Sequence, residues 1–441
     1  MNPTELELAA IQLASISANY ANKSLWGKFV YRFRREFLQQ DTRHKLRFLK
    51  TMLGKIGPLF MAPIRRRRRR VTRTVRSEGQ MTVAAVCTGG LGDILIARAF
   101  LEQFVQEYAI AQLDIVVAPG RISGAQFVFR DSRVLRNILA EADLAPASTE
   151  YDLILKVGDL VSFEFVRAEA LTQWPAPLRE KLAAAQQLQD QYRTFINRQP
   201  MLDGLFATHA AHAGMGRLDV LGWMTCINFT QSSPLLLSLD PQARAVFERF
   251  PTLQSNTEAS PVRRPYITLH NGWDNVDHKH AEQVTKAWPA AHFAEFVTLF
   301  KARFPQVQVV QLGTKTSQPI PGVDLSLLNA TSLEETAWVL RHSRLHLDGD
   351  SGLVHIARAL QTTSLVLFGP TNHEFFAYRE NLNYASTGCR NCWWTTNDWM
   401  HVCPRGQREP ECMTSLLPSE VLRRASEHLE QLGLQPAQQS A

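Results

Sequence analysis

The sequence predicts an α/β protein built from two Rossmann-like halves. Two runs of alternating strand and helix, separated by a proline-rich break, carry that prediction. The first run opens with an apolar strand at 82–87, then the turn Thr88-Gly89-Gly90-Leu91-Gly92-Asp93, then helical periodicity over 94–108. Strand, glycine turn and helix in that order form the first unit of a nucleotide-type fold. Further strands are expected at 113–118 and 151–157, and residues 175–230 read as more helical and less regular. Pro234, Pro241, Pro251 and Pro261, with intervening Ser, Thr and Asn, mark the break and place a linker at 233–264. The second run follows, with strands at 266–270, 307–312, 345–348 and 363–368 and helices at 290–304, 333–342 and 353–360. The expected organisation is a helical, basic extension at 1–80, an N-terminal domain at 81–232, the linker, and a C-terminal domain at 265–387. A cysteine knuckle at 388–413 and a terminal helix and tail at 414–441 complete it. Two such halves open a cleft between the carboxyl ends of their sheets.

Composition agrees with a folded protein of two or three domains. Of 441 residues, 45% are hydrophobic and 20% charged, which excludes a disordered or collagen-like chain. No apolar run reaches the roughly 18 residues of a membrane span, and the start MNPTELELAA has no basic and apolar leader. A cytoplasmic location is expected. The net charge of +7 is concentrated in one place: RRRRRRVTRTVR at 65–76 carries eight Arg and no acid, which leaves a neutral body. With the mixed apolar and basic segment at 46–64, the run Arg65 to Arg70 reads either as a peripheral contact with an anionic membrane surface or as a solvated linker. No aromatic side chains are interleaved with these arginines, so no nucleic-acid partner is expected.

Three motifs point to chemistry at the cleft. Asp93 places a carboxylate after a glycine turn, where it either caps the helix or takes a proton from an attacking hydroxyl. Lys286, in Thr285-Lys286-Ala287-Trp288-Pro289, precedes a helix and offers a charge to a departing phosphate. The strand ending in Asp348-Gly349-Asp350-Ser351-Gly352-Leu353 presents backbone N–H groups at the positive end of the next helix, an anion site by construction. Asp350 suits a ribose or sugar hydroxyl there, or an N-cap. His355 either faces phosphates or packs within its helix. His209 and His212 lie three apart without a carboxylate at ligand spacing and read as surface or acceptor-side residues.

Four of the six cysteines, Cys389, Cys392, Cys403 and Cys412, fall within one short stretch with a CxxC pair and moderate loops. That spacing suits a tetrahedral zinc or iron site with a structural or acceptor-binding role. Trp393, Trp394 and Trp399 lie between the second and third cysteines, placed to pack the knuckle or to stack on a sugar.

Taken in order, GGLGD at 89–93, KAWPAAHF at 286–293, SLEE at 332–335, DSGLVHIARAL at 350–360 and LFGPT at 367–371 resemble the family nine glycosyltransferases, the ADP-heptose heptosyltransferases. The resemblance covers roughly 81–430. It implies a GT-B fold and an inverting transfer from an ADP-sugar donor without a catalytic metal, to a hydroxyl of a surface glycan or lipopolysaccharide. It also implies Asp93 as base and Lys286 as the phosphate-binding lysine. The donor set it implies is Gly90, Gly92, Thr285, Lys286, Asp350, Ser351, Gly352, Leu353, His355 and Gly369. Ala99 and Ser351 depart from the commoner Pro and Thr of the family's motifs. The cysteine pattern resembles the iron-binding finger of the autotransporter heptosyltransferases, which implies a Ser or Thr acceptor on a protein as the alternative. A non-catalytic sugar-nucleotide or glycan-binding protein is the alternative of another class.

Overall fold

The computed structural model describes residues 81–147, 151–172, 174–193, 195–197, 200–253, 264–271, 284–396 and 399–437. The helices and basic run expected within 1–80, including Arg65 to Arg70, lie outside the described residues.

Residues 81–441 form one compact unit holding two sheets. In the first, β1 (Val83–Cys87), β2 (Leu113–Val117), β3 (Leu135–Ala140), β4 (Leu153–Val157) and β5 (Val161–Val166) run in the order β3-β2-β1-β4-β5. All neighbours are parallel except β4 and β5, which form an antiparallel edge. The second sheet holds β6 (Tyr266–His270), β7 (Gln308–Leu312), β8 (Leu325–Ser326), β9 (His346–Gly349), β10 (Ser364–Phe368) and β11 (Leu382–Ala385). Its order is β11-β10-β9-β6-β7-β8, parallel throughout. The inner strands are buried almost throughout, which is why VAAVC, YITLH and SLVLF read as nearly continuous apolar runs.

In each sheet the chain changes direction about its first strand. The crevices outside the strand ends therefore fall between β1 and β4 in one sheet and between β6 and β9 in the other. The first crevice receives the Thr88–Gly90 turn and Gly158-Asp159. The second receives His270, Asn271 and the Gly349–Ser351 loop.

Several elements differ from the sequence expectation, β8 and β11 among them, which it did not contain. The helix after the first glycine turn runs Leu91–Glu107, starting ahead of position 94, so Asp93 sits in its first turn. β3, with the sequence LRNILA, is only partly buried, and its Arg and Asn obscure the strand pattern. β5 adds a half-exposed antiparallel edge that no βαβ reading contains. Within the stretch expected as a linker, the described residues form turns of helix at Pro241–Ala245 and Val246–Arg249.

Candidate functional site

The two crevices meet. Gly352, which starts the helix Gly352–Ala359, has its Cβ direction 3.6 Å from the Gly92 nitrogen and from the Leu91 Cβ. A Cβ on Gly92 would lie 2.0 Å from Cδ2 of His355, so only glycine lets the two helix starts approach this closely. His355 is buried in that seam and bonds through Nδ1 to the Tyr378 hydroxyl. Burial pushes its pKa down to about 4, against the pull of Asp350 and Asp93, so the ring is neutral at pH 7.

On the first sheet's side, the Gly90 N–H donates to Asp93 Oδ2 at 2.5 Å. Gly89, at φ +99°, makes the turn that brings them together. Arg217, at the start of the helix Arg217–Met224 and only 3% exposed, donates from Nη1 to Asp93 Oδ1 at 2.7 Å and from Nη2 to the Gly158 carbonyl at 2.8 Å. The same Nη2 lies 3.5 Å from Asp159. Burial is the largest influence and opposes ionisation of Asp93, but the Arg217 guanidinium, His355 and the Gly90 N–H together outweigh it and hold the carboxyl below the usual range. Arg217 and Asp159 were not among the residues singled out from sequence. The pair Gly158-Asp159 directly after a predicted strand, echoing Gly92-Asp93, was the available signal.

On the second sheet's side, Asp348 ends β9 as a buried carboxylate surrounded by partners. His270 Nδ1 lies 3.0 and 2.9 Å from its two oxygens, His346 Nε2 lies 3.2 Å away, and the Gly349 N–H donates at 2.7 Å. The Ser351 hydroxyl also donates to it while accepting the Leu353 N–H at 3.1 Å, which caps the following helix. Burial would raise the Asp348 pKa, yet the two histidines drive it far below the carboxylate range. This buried network holds the Asp350-Ser351-Gly352 backbone in place. Lys286 Nζ donates to the Asp350 carbonyl at 2.8 Å, which sets its charge beside the helix start. A larger cavity of about 670 Å³ opens next to it. Asn271, Trp288, Pro289 and Gln318 line it, together with His401 and Arg408 of the cysteine segment, and its size is that of a ligand pocket.

Residues 251–404 match the profile of glycosyltransferase family 9 (heptosyltransferase). That segment, well under half of the chain, is similar to the family 9 glycosyltransferases. The matched segment holds Lys286, the Asp350–His355 region and three of the four clustered cysteines, whereas Asp93 lies outside it. No curated protein sequence matches the chain. Among solved structures, the chain is similar to the iron-containing dodecameric glycosyltransferase TibC of enterotoxigenic E. coli H10407, at 15% identity and TM-score 0.53 over 82% of this chain and 81% of that one. TibC in complex with ADP-D-beta-D-heptose aligns at 15% identity and TM-score 0.51, over 81% of this chain and 78% of that one. A family 9 glycosyltransferase from Veillonella parvula aligns at 13% identity and TM-score 0.50, over 81% of this chain and 99% of that one. At these identities the likeness is one of fold, and that fold is the two-sheet GT-B-like arrangement described above.

Within the segment that matches family 9, two residues of the implied donor set face elsewhere. Thr285 is buried against the cysteine segment, its hydroxyl donating to the Trp399 carbonyl at 2.7 Å and its N–H to the Met400 carbonyl at 2.9 Å. Gly369 also faces that segment: a Cβ there would lie 2.3 Å from Met413 Sδ and 3.2 Å from Cys412 Sγ. Both anchor the finger. His355 likewise packs in the seam as a neutral ring and offers phosphate no charge.

Cys389, Cys392, Cys403 and Cys412 line one cavity of about 240 Å³. Burial, aided by the neighbouring thiols, pushes Cys392 up to about 11 and Cys412 to about 12. Among the described residues, no group of three or more His, Cys, Asp or Glu is arranged to hold a metal ion. The tryptophans pack rather than stack on solvent: Trp393 and Trp399 are each 5% exposed, and Trp393 meets Phe376 edge to face at 4.8 Å. Trp394 lies against Gly204 on the helix Pro200–His212, which ties the finger to the first sheet's side. His209 and His212 are exposed on that same helix. Among the described residues, no helix is long and apolar enough to cross a membrane.

Proposed function

We propose that the chain transfers a heptose, or a closely related sugar, from an ADP-sugar to an acceptor hydroxyl with inversion at the anomeric carbon. The family 9 match over the segment that carries Lys286 and the Ser351/Gly352 helix start is the observation that carries this reading. The donor diphosphate would lie at that helix start, where backbone N–H groups and the Lys286 ammonium stabilise charge as the nucleotide leaves. Asp350, Leu353 and the glycines Gly90, Gly92 and Gly352 would shape the donor's walls. The acceptor enters from the first sheet, where a carboxylate of the Asp93–Arg217–Asp159 group takes its proton. Asp93 matches the family's proposed base. No catalytic metal is required, because the displacement needs only a positioned hydroxyl and a stabilised leaving group.

A surface glycan or lipopolysaccharide is the acceptor we favour. The cysteine finger, which resembles that of the autotransporter heptosyltransferases, supports a protein Ser or Thr hydroxyl as the second reading. The finger's four thiols would hold a structural zinc or iron as thiolates, which draws down the raised thiol pKa values. Metal analysis of purified protein should find about one ion per chain, lost in Cys403→Ser; protein with no bound metal that is still fully folded removes this assignment.

Comparing ADP-heptose with ADP-glucose, UDP-glucose and GDP-mannose tests the main reading. Selective binding and slow hydrolysis of ADP-heptose are expected. A chain indifferent to every ADP-sugar would be a family 9 fold put to another use.

A further inference from the structure

The carboxyl end of β6 places His270 in the crevice between β6 and β9, where the strand order of the second sheet reverses. The residue is 8% exposed and, with Lys286, Asp350 and Ser351, lines a recess of about 20 Å³, room for one water-sized group such as a phosphate oxygen. One side of the ring is committed. Nδ1 lies 3.0 and 2.9 Å from the two oxygens of Asp348, and because an ionised carboxylate only accepts, Nδ1 carries its hydrogen there. Among the described residues nothing bonds Nε2. In the neutral ring that atom is a bare lone pair.

We propose that His270 is a second cation at the donor diphosphate, protonated at Nε2 as the donor binds and bonded through that nitrogen to a phosphate oxygen. The assignment rests on the transfer reaction proposed above. Phosphate oxygens of a sugar nucleotide accept and do not donate, so a bond to Nε2 needs a proton there, taken from solvent on binding and returned when ADP leaves. Lys286 supplies a standing charge. His270 supplies one that the ligand calls up, and the Asp348 carboxylate against Nδ1 steadies the charged ring.

Two observations set His270 apart from a residue that only braces the loop. Asp348 already accepts the Gly349 N–H at 2.7 Å and the Ser351 hydroxyl, and it faces His346 Nε2 at 3.2 Å, so β9 and its own loop satisfy it without a partner from β6. The charges facing His270 are also unbalanced: Asp348 and Asp350 from β9 and its loop stand against Lys286, from the segment before the helix Ala290–Arg303. One ammonium against two carboxylates suits an anion poorly, and a second cation corrects it. His346 is not that cation. It is wholly buried, it does not line the recess, and its Nδ1 lies 3.0 Å from Thr268 Oγ1 in a chain that runs on through Ser343 to the Leu345 carbonyl.

The test is calorimetric titration of the full chain with ADP-heptose from mildly acidic to mildly alkaline pH, in buffers of different ionisation enthalpy, which reads the protons taken up. Both phosphates of ADP-heptose are diesters, so the ligand itself does not titrate in this range. Wild type should take up as much as about one proton per donor bound, and its affinity should weaken as pH rises. His270→Asn keeps an amide where Nδ1 meets Asp348 and removes Nε2. It should bind about 10- to 100-fold more weakly at mildly acidic pH and take up no proton. His270→Gln returns an uncharged N–H toward the Nε2 position and should recover part of the affinity without the uptake. His401, on the neighbouring cavity, is the other histidine able to give the signal, and His401→Gln should leave the uptake in place. Binding by wild type without proton uptake, or uptake that persists in His270→Asn, would overturn the assignment and leave the transfer reading standing. A wild-type chain that binds no ADP-heptose at any pH would remove both.

Discussion

Replacing Arg217 with Met is expected to reduce transfer below about 1% of wild type and to lower the unfolding free energy by about 3 kcal/mol. The Arg217 side chain is 4% exposed, and it neutralises Asp93 at 2.7 Å and Asp159 at 3.5 Å while donating to the Gly158 carbonyl. Methionine fills much of the same volume but leaves two carboxylates facing each other, with Asp350 near. Losing one partner of a buried ion pair costs roughly 3–5 kcal/mol. The 26% and 32% exposure of the two carboxylates admits water and takes the figure to the lower end of that range. The pH dependence carries a sign. The folded-state pKa of Asp93 is depressed, so its pairing contributes stability above the ordinary carboxylate range, and that stability is lost as pH falls through the folded-state value. The gap in denaturant midpoint between wild type and Arg217→Met should therefore narrow on acidification. Arg217→Lys should recover charge but not the forked geometry, and so only part of the activity. Equal midpoints at neutral pH would show that the guanidinium holds nothing together.

Lys286→Ala should cost about 10²–10³-fold in donor turnover, the effect of removing one charge from a leaving-group site. Lys286 Nζ sits 2.8 Å from the Asp350 carbonyl, at the loop whose backbone starts the Ser351-capped helix. Its ammonium can therefore hold the loop and meet the phosphate from one position. Because charge grows on the diphosphate as the glycosidic bond breaks, the loss should fall more on kcat than on ADP affinity. Single-turnover hydrolysis of ADP-heptose, paired with calorimetric titration of ADP, separates the two. A variant that hydrolyses donor at the wild-type rate would remove Lys286 from the phosphate site.

Much of the architecture was legible in local pattern. The strands at β1, β6, β9 and β10 are short apolar runs bounded by Gly, Asp or Ser, and the helices that follow show caps in sequence. The Ser332–Glu335 capping box and the Ser351 cap are both present in the structure. The anion-binding loop was readable for the same reason, since strand, DGDSG and helix lie within one stretch of chain. β3 and β5 were not readable. One is broken by Arg136 and Asn137, which pair with a buried Asp114 on β2, and the other is a half-exposed antiparallel edge.

The sequence by itself determined the two α/β runs, the glycine turn before Asp93, the anion loop at Ser351 and the clustering of four cysteines, because each depends on neighbours a few residues apart. Tertiary structure alone decided what these features face. Arg217 and Asp159 reach the Asp93 turn from distant parts of the first half and His355 from the second, meetings that only tertiary packing makes. Packing also turned Thr285 and Gly369 toward the finger, and it gathered the cysteine thiols around one cavity. Local backbone preference is written in periodicity and caps; charge pairing across a cleft depends on three-dimensional distance, which sequence spacing does not encode.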